Sequence, residues 1–139
     1  MSDYKWVSEY IGKKYEFGGR GPDAFDCWGL VMDVFKRRGI DLPDWTADSD
    51  TTRAIVNAVT DFTKTAVVKN YALKVDSPQD YDIALVKRSR DAHHVGVYVA
   101  GGILHATRGC AAIVHNRLTD FAACGTGTVE WYRWRDGEH

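Results

Sequence analysis

The chain has 139 residues, 45% of them hydrophobic and 12% aromatic, which is enough for one compact domain with its own core and short for two. A net charge of -1 with scattered basic residues argues against nucleic acid or an anionic membrane surface as partner. No run approaches the roughly 18 apolar residues of a membrane span, and the start Met1-Ser2-Asp3-Tyr4-Lys5-Trp6 carries no cationic leader with an apolar run, so synthesis as a soluble cytosolic protein is expected.

Taken in chain order, Trp6, Val7, Tyr10 and Ile11 recur at helical spacing behind Ser2, a capping residue, and predict a helix over 3–14. The loop Gly18-Gly19-Arg20-Gly21-Pro22 ends it. A second apolar stripe, Leu30, Val31, Val34 and Phe35, predicts a helix that opens at Cys27 with Asp26 as cap. It closes through Lys36, Arg37 and Arg38 before Gly39. Residues 40–50 read as a connection, and Ala54, Ile55, Ala58, Val59 and Phe62 as a third helical stripe. From Thr65 the pattern changes to short runs rich in valine, isoleucine and tyrosine, predicting strands over 65–69, 82–87, 94–100, 103–107, 111–115 and 128–134. Helices followed by strands predict an α+β fold over residues 1–139, with N-terminal helices packed on an antiparallel sheet.

The reactive candidate is Cys27. A helix N-terminus exposes unpaired N–H groups and a partial positive charge, both of which stabilise an anionic sulfur, so the position predicts a thiol of lowered pKa. The three cysteines, Cys27, Cys110 and Cys124, show no C-x-x-C spacing, so neither a disulfide framework nor a zinc knuckle is signalled.

A thiol nucleophile needs an imidazole that accepts its proton and later returns it to the leaving group. His93, His94 and His105 cluster on or beside one stretch, His94-Val-Gly-Val-Tyr-Val-Ala-Gly-Gly-Ile-Leu-His105, which reads as a hairpin. Strand alternation puts His94, Gly96 and Tyr98 on one face and His93 on the other. Two registers are open. A turn at Gly101-Gly102 sets His105 opposite Tyr98, roughly 13 Å along the strand from His94. A turn on Ala100-Gly101 sets it opposite Gly96, a diagonal neighbour of His94 at about 7 to 8 Å. Adjacent strand histidines point apart and no third ligand sits at a recognised spacing, so neither a metal nor another cofactor is expected; His115 reads as structural.

These residues resemble the NlpC-type cell-wall peptidases, papain-like cysteine peptidases that cleave the peptide stems of bacterial peptidoglycan. Tyr15, Gly18 and Gly19 ahead of Asp26-Cys27-Trp28-Gly29-Leu30-Val31 resemble the family's helix-start motif. His94-Val95-Gly96-Val97-Tyr98 and His105-Ala106 resemble its two histidine strands. The resemblance implies Cys27 as nucleophile, His94 rather than His93 as general base, and His105 as the group orienting it. It also implies an oxyanion held by the Cys27 backbone N–H with the Tyr15 hydroxyl nearby, and Asp26, Trp28 and Gly19 along the substrate cleft. Trp28 departs from the serine that many cell-wall members carry there.

The loop Gly18–Pro22, the connection Gly39–Pro43 and the ending Glu130-Trp131-Tyr132-Arg133-Trp134 look more like the branch encoded by tailed phages and prophages. That branch implies a peptidoglycan hydrolase carried by a phage tail, with tail-tip proteins as partners, cutting between D-glutamate and the diamino acid of the stem. Two other roles are compatible with the same residues: a tail-assembly protein keeping the fold with little activity, and a thiol amidase or acyltransferase. Trp131, Tyr132 and Trp134 fit either an interface anchor or, more plainly, a final strand with alternate residues buried.

Overall fold

The computed structural model describes residues 4–44, 61, 65, 72–88, 91–107, 112–117 and 128–135. The elements are α1 (Lys5–Ser8), β1 (Lys14–Tyr15), β2 (Ala24–Phe25), α2 (Cys27–Arg37), β3 (Ala72–Val75), β4 (Ile83–Arg88), β5 (Asp91–Val99), β6 (Gly102–Thr107), β7 (Ala112–Arg117) and β8 (Thr128–Trp134). The strands form one sheet in the order β2-β1-β7-β6-β5-β4-β8-β3. All of its pairings are antiparallel except β1 with β2. The α+β class read from the sequence is the one observed, with a parallel pair added by two strands too short to leave a pattern.

α2 follows its sequence signals closely. Asp26 accepts the Gly29 N–H at 2.6 Å as N-cap. At the other end the Ile40 N–H reaches the Phe35 carbonyl and the Gly39 N–H the Lys36 carbonyl, the paired bonds of a Schellman stop. Leu30, Val31, Val34 and Phe35 are buried, joined by Trp28. They pack with Val95, Val97, Val99, Leu104, Ala106 and Ile113, so one face of the sheet forms the main core with α2. The other face carries a smaller cluster of Ala84, Val86 and Ile103, against which Val129 and Trp131 pack.

α1 is shorter than the helix expected over 3–14. It ends at Ser8, turns through Gly12 at φ 88°, and the chain enters β1 at Lys14. Gly12 donates to the Ile113 carbonyl and Lys13 accepts from the Ile113 N–H, so pairing with β7 wins over continued helix. Thr65, expected in a strand, is helical, an ambiguity that periodicity alone does not resolve for a short apolar run. The stripe from Ala54 to Phe62 lies outside the described residues apart from Asp61, which is helical.

β8 runs between β4 and β3 as an interior strand. Trp134 is buried in the main core and Tyr132 packs against it, while Trp131 faces the smaller cluster and meets Tyr98 edge-on with centroids 5.3 Å apart. The aromatic ending therefore supplies both faces of the sheet. Among the described residues no helix is long and apolar enough to cross a membrane.

Candidate active site

Two loops and the α2 N-terminus build the cysteine side of the site. Gly29 has no room for a side chain: a Cβ there stands 2.0 Å from the Gly19 carbonyl oxygen. This close approach seats the Gly18–Gly19 loop on the first turn of α2. Asp26 ties the two together, its Oδ1 taking the Gly29 N–H and the Arg20 guanidinium at 2.8 Å, its Oδ2 the Gly18 N–H at 3.1 Å. Arg20 also bonds Asp44 at 3.0 Å, and the Trp28 indole N–H donates to the Pro43 carbonyl at 3.0 Å. Asp26, Trp28 and Gly19 are thus engaged within the protein, Trp28 with 1% of its surface exposed. Their geometry is that of a scaffold behind Cys27.

Cys27 is buried, and backbone N–H groups of Val95, Trp28 and Cys27 itself point toward its sulfur. They act in the direction expected of a helix N-terminus. Burial outweighs them and, with the Asp26 carboxylate alongside, pushes the thiol up to about 12, a reversal of the lowered value expected from position alone. The resting group at neutral pH is therefore a thiol, and its proton has to leave as the sulfur attacks. Burial by strand β5, some seventy residues away in sequence, is what a local reading of the helix start omits.

The histidine side is built by register. β5 and β6 join through Ala100-Gly101, both at positive φ, with Val99 opposite Gly102 and Val97 opposite Leu104. This is the second of the two registers open from sequence, and it sets Gly96 opposite His105. A Cβ on Gly96 stands 2.7 Å from Ile103 Cγ2 and 3.0 Å from His105 Cβ, so only glycine lets β6 close in here. His94 and His105 then meet, Nε2 to Nδ1 at 2.7 Å.

Beyond His105 stands a residue that the sequence did not reveal. Asn116 on β7 lies opposite Ile103, diagonal to His105 and on its face, and its Oδ1 is 2.7 Å from His105 Nε2. His105 is buried at 6% exposure, and burial, reinforced by nearby His115, lowers its pKa despite the Asn116 hydrogen bond. His115 itself hydrogen-bonds the Val99 carbonyl through Nε2 at 2.7 Å, a hairpin contact. The β4–β5 ladder shifts just before His94, from Val86 opposite His94 to Lys87 opposite Ala92, leaving His93 as the extra residue of a bulge. The Cys27 sulfur takes the N–H of Val95, the residue next to His94, and the row His94–His105–Asn116 begins at that neighbour.

Tyr15 on β1 pairs with Phe25, two residues before Cys27, and packs against the main core. Among the described residues no group of three or more His, Cys, Asp or Glu side chains is disposed to hold a metal ion.

The model of the NlpC/P60 family matches residues 12–120, a span that contains all of these groups. The chain belongs to the NlpC/P60 family. Among its curated relatives, "Probable endopeptidase p60" of Listeria grayi is 26% identical over 99 residues, covering 71% of this chain and 16% of that protein. A protein described as a probable endopeptidase in Mycobacterium bovis is 30% identical over 94 residues, 68% of this chain and 20% of that one. This NlpC/P60 chain thus spans no more than a fifth of the length of these relatives. Of the solved structures, NlpC2 from Trichomonas vaginalis superposes with a TM-score of 0.63 at 21% identity over 93% of this chain and 44% of the other. The NlpC/p60 domain of the peptidoglycan hydrolase SagA superposes with a TM-score of 0.57 at 19% identity, covering 90% and 91% of the two chains. At these identities the superpositions carry the fold, which is the α+β, papain-like NlpC/P60 arrangement.

Proposed function

We propose that this NlpC/P60 chain is a cysteine endopeptidase that hydrolyses peptidoglycan stem peptides through an acyl-enzyme. The observation that carries the reading is the place of Cys27 at the start of α2, its sulfur on the N–H of Val95, which adjoins the His94 of the hydrogen-bonded His94–His105 pair. The names of the Listeria and Mycobacterium relatives and of SagA support the reaction class and the substrate.

In this reading the Cys27 sulfur attacks the scissile carbonyl carbon as His94 takes the thiol proton, which a thiol held near 12 makes necessary. The oxyanion is held by the Cys27 N–H, with the Tyr15 hydroxyl nearby. The C–N bond then breaks and His94 gives its proton to the leaving amine. Water attacks the thioester, loses a proton to His94, the C–S bond breaks, and the sulfur recovers its proton. The family resemblance supports the bond between D-glutamate and the diamino acid as the target, and the resemblance of the Gly18–Pro22, Gly39–Pro43 and Glu130–Trp134 segments to the phage branch supports carriage by a phage tail.

The test is mass spectrometry of purified muropeptides incubated with the protein or with Cys27→Ala. The parent is expected to cleave and the variant to lose at least about a thousandfold in rate, with fragment masses naming the bond. Intact muropeptides in both reactions would refute the endopeptidase reading and favour a tail-assembly role for the fold. Transfer of the acyl group to an added amine in place of hydrolysis would instead identify an acyltransferase.

A further inference from the structure

We infer that Asn116 is a positioning residue that fixes the hydrogen positions of the histidine pair, so that His94 presents Nδ1, and not Nε2, as its proton-accepting atom. The inference rests on the reading of Cys27 and His94 as nucleophile and base, and adds to it a fourth residue and a named atom. Three observations carry it. Asn116 Oδ1 lies 2.7 Å from His105 Nε2, and His105 Nδ1 lies 2.7 Å from His94 Nε2. The register that aligns them diagonally across β5, β6 and β7 is set by the Ala100-Gly101 turn and by continuous β6–β7 pairing. Burial of His105, with His115 nearby, keeps its ring neutral, so it carries a single N–H.

The hydrogens then follow one after another. An amide oxygen only accepts, so the single N–H of His105 is at Nε2 and its Nδ1 holds a lone pair. That lone pair accepts from His94, whose N–H is therefore at Nε2, and the lone pair of His94 is left at Nδ1. Without an acceptor at position 116 the hydrogen bond that favours the His105 hydrogen at Nε2 is lost. With the hydrogen at Nδ1 instead, His105 donates to His94 Nε2, and the hydrogen of His94 moves to Nδ1, the tautomer that cannot accept a proton there. A neutral amide at the end of the row fixes orientation without adding a negative charge, unlike a carboxylate in the same place.

Two-bond proton–nitrogen NMR of the imidazoles near pH 8 reads these tautomers directly, in the free protein and independently of any substrate. The parent is expected to show His94 and His105 both with hydrogen at Nε2. Asn116→Leu should show a mixture of tautomers at both rings. Asn116→Asp, whose side chain offers acceptors only, should keep the parent pattern. On muropeptides Asn116→Leu should lose on the order of tenfold to a hundredfold in kcat with KM unchanged, and Asn116→Asp should recover most of it. A parent spectrum with hydrogen at His105 Nδ1, or a Leu variant that keeps the parent pattern, overturns the proposal. Should Asn116→Leu fail to fold, the Asp variant decides alone, because a tautomer switch on going to Asp means that the amide NH₂ and not its oxygen faces His105. Absence of cleavage by the parent bears on the endopeptidase reading and leaves the tautomer result standing.

Discussion

Asp26 and Asp82 are both buried, at 8% and 2% exposure, and each is held by an arginine together with backbone N–H donation, from two residues to Asp26 and from one to Asp82. Asp82 takes the Gln79 N–H at 2.8 Å and both arms of Arg133, at 2.8 and 3.0 Å. It locks the turn before β4 onto β8. Asp26 takes the Gly29 and Gly18 N–H groups and Arg20 in much the same way. The local chemistry is nearly equal, and the difference lies in what stands next to it: β4 in one case, the sulfur of Cys27 in the other. A buried carboxylate with an arginine is a fastening wherever it occurs, and becomes a control on reactivity only beside a group that titrates.

Removing Asp82 should have the largest effect on stability. Asp82→Ala strips two hydrogen bonds from Arg133 and leaves the Gln79 N–H without its acceptor. Because Arg133 is 36% exposed and finds water, the cost is expected at about 2–3 kcal/mol, below that of a fully buried pair. Urea unfolding measures it, and the alkylation rate of Cys27, followed by peptide mass spectrometry, should stay at the parent value. Asp26→Asn keeps an N-cap for α2 and removes the charge. It should cost about 1–2 kcal/mol through the weakened Arg20 contact. Unlike the first variant, it should also speed Cys27 alkylation severalfold, since a carboxylate that raised the thiol has gone. Equal alkylation rates in the two variants would break the comparison and leave Asp26 a cap alone.

The sequence exposed the cysteine side of this site more fully than the histidine side. Asp26, Cys27 and the stop at Gly39 are local signals, and α2 occupies the span they mark. Hairpin geometry was narrowed to two registers but not chosen, because Gly101-Gly102 looks like the natural turn while the chain places Ala100 at φ 51° instead. Asn116 was invisible for a related reason. The expected strand ended at 115, one residue short, and only the β6–β7 register shows that Asn116 shares a face with His105. The sign of the Cys27 shift needs tertiary information as well: the dipole of its helix is local, whereas its burial is made by β5.

His105 is the third buried polar or charged residue among the described ones, and the hydrogen bonds of its ring run to His94 and Asn116. Burial acts on it first, with His115 adding to the shift and Asn116 opposing it, and the outcome is a folded-state pKa below the ordinary 6.5. The unfolded chain therefore binds the proton more readily than the folded one. Stability from this group is fully present above about pH 6.5 and is lost as pH falls below that value toward the folded pKa. Comparing the thermal midpoints of the parent and His105→Gln across pH 8 to 5 isolates the contribution. The gap between them should shrink, or turn in favour of the variant, on the acid side, and this is the smallest of the expected effects because the Asn116 oxygen tempers the shift. A constant gap would mean that the buried ring accepts a proton as easily folded as unfolded, and that burial does not govern its titration.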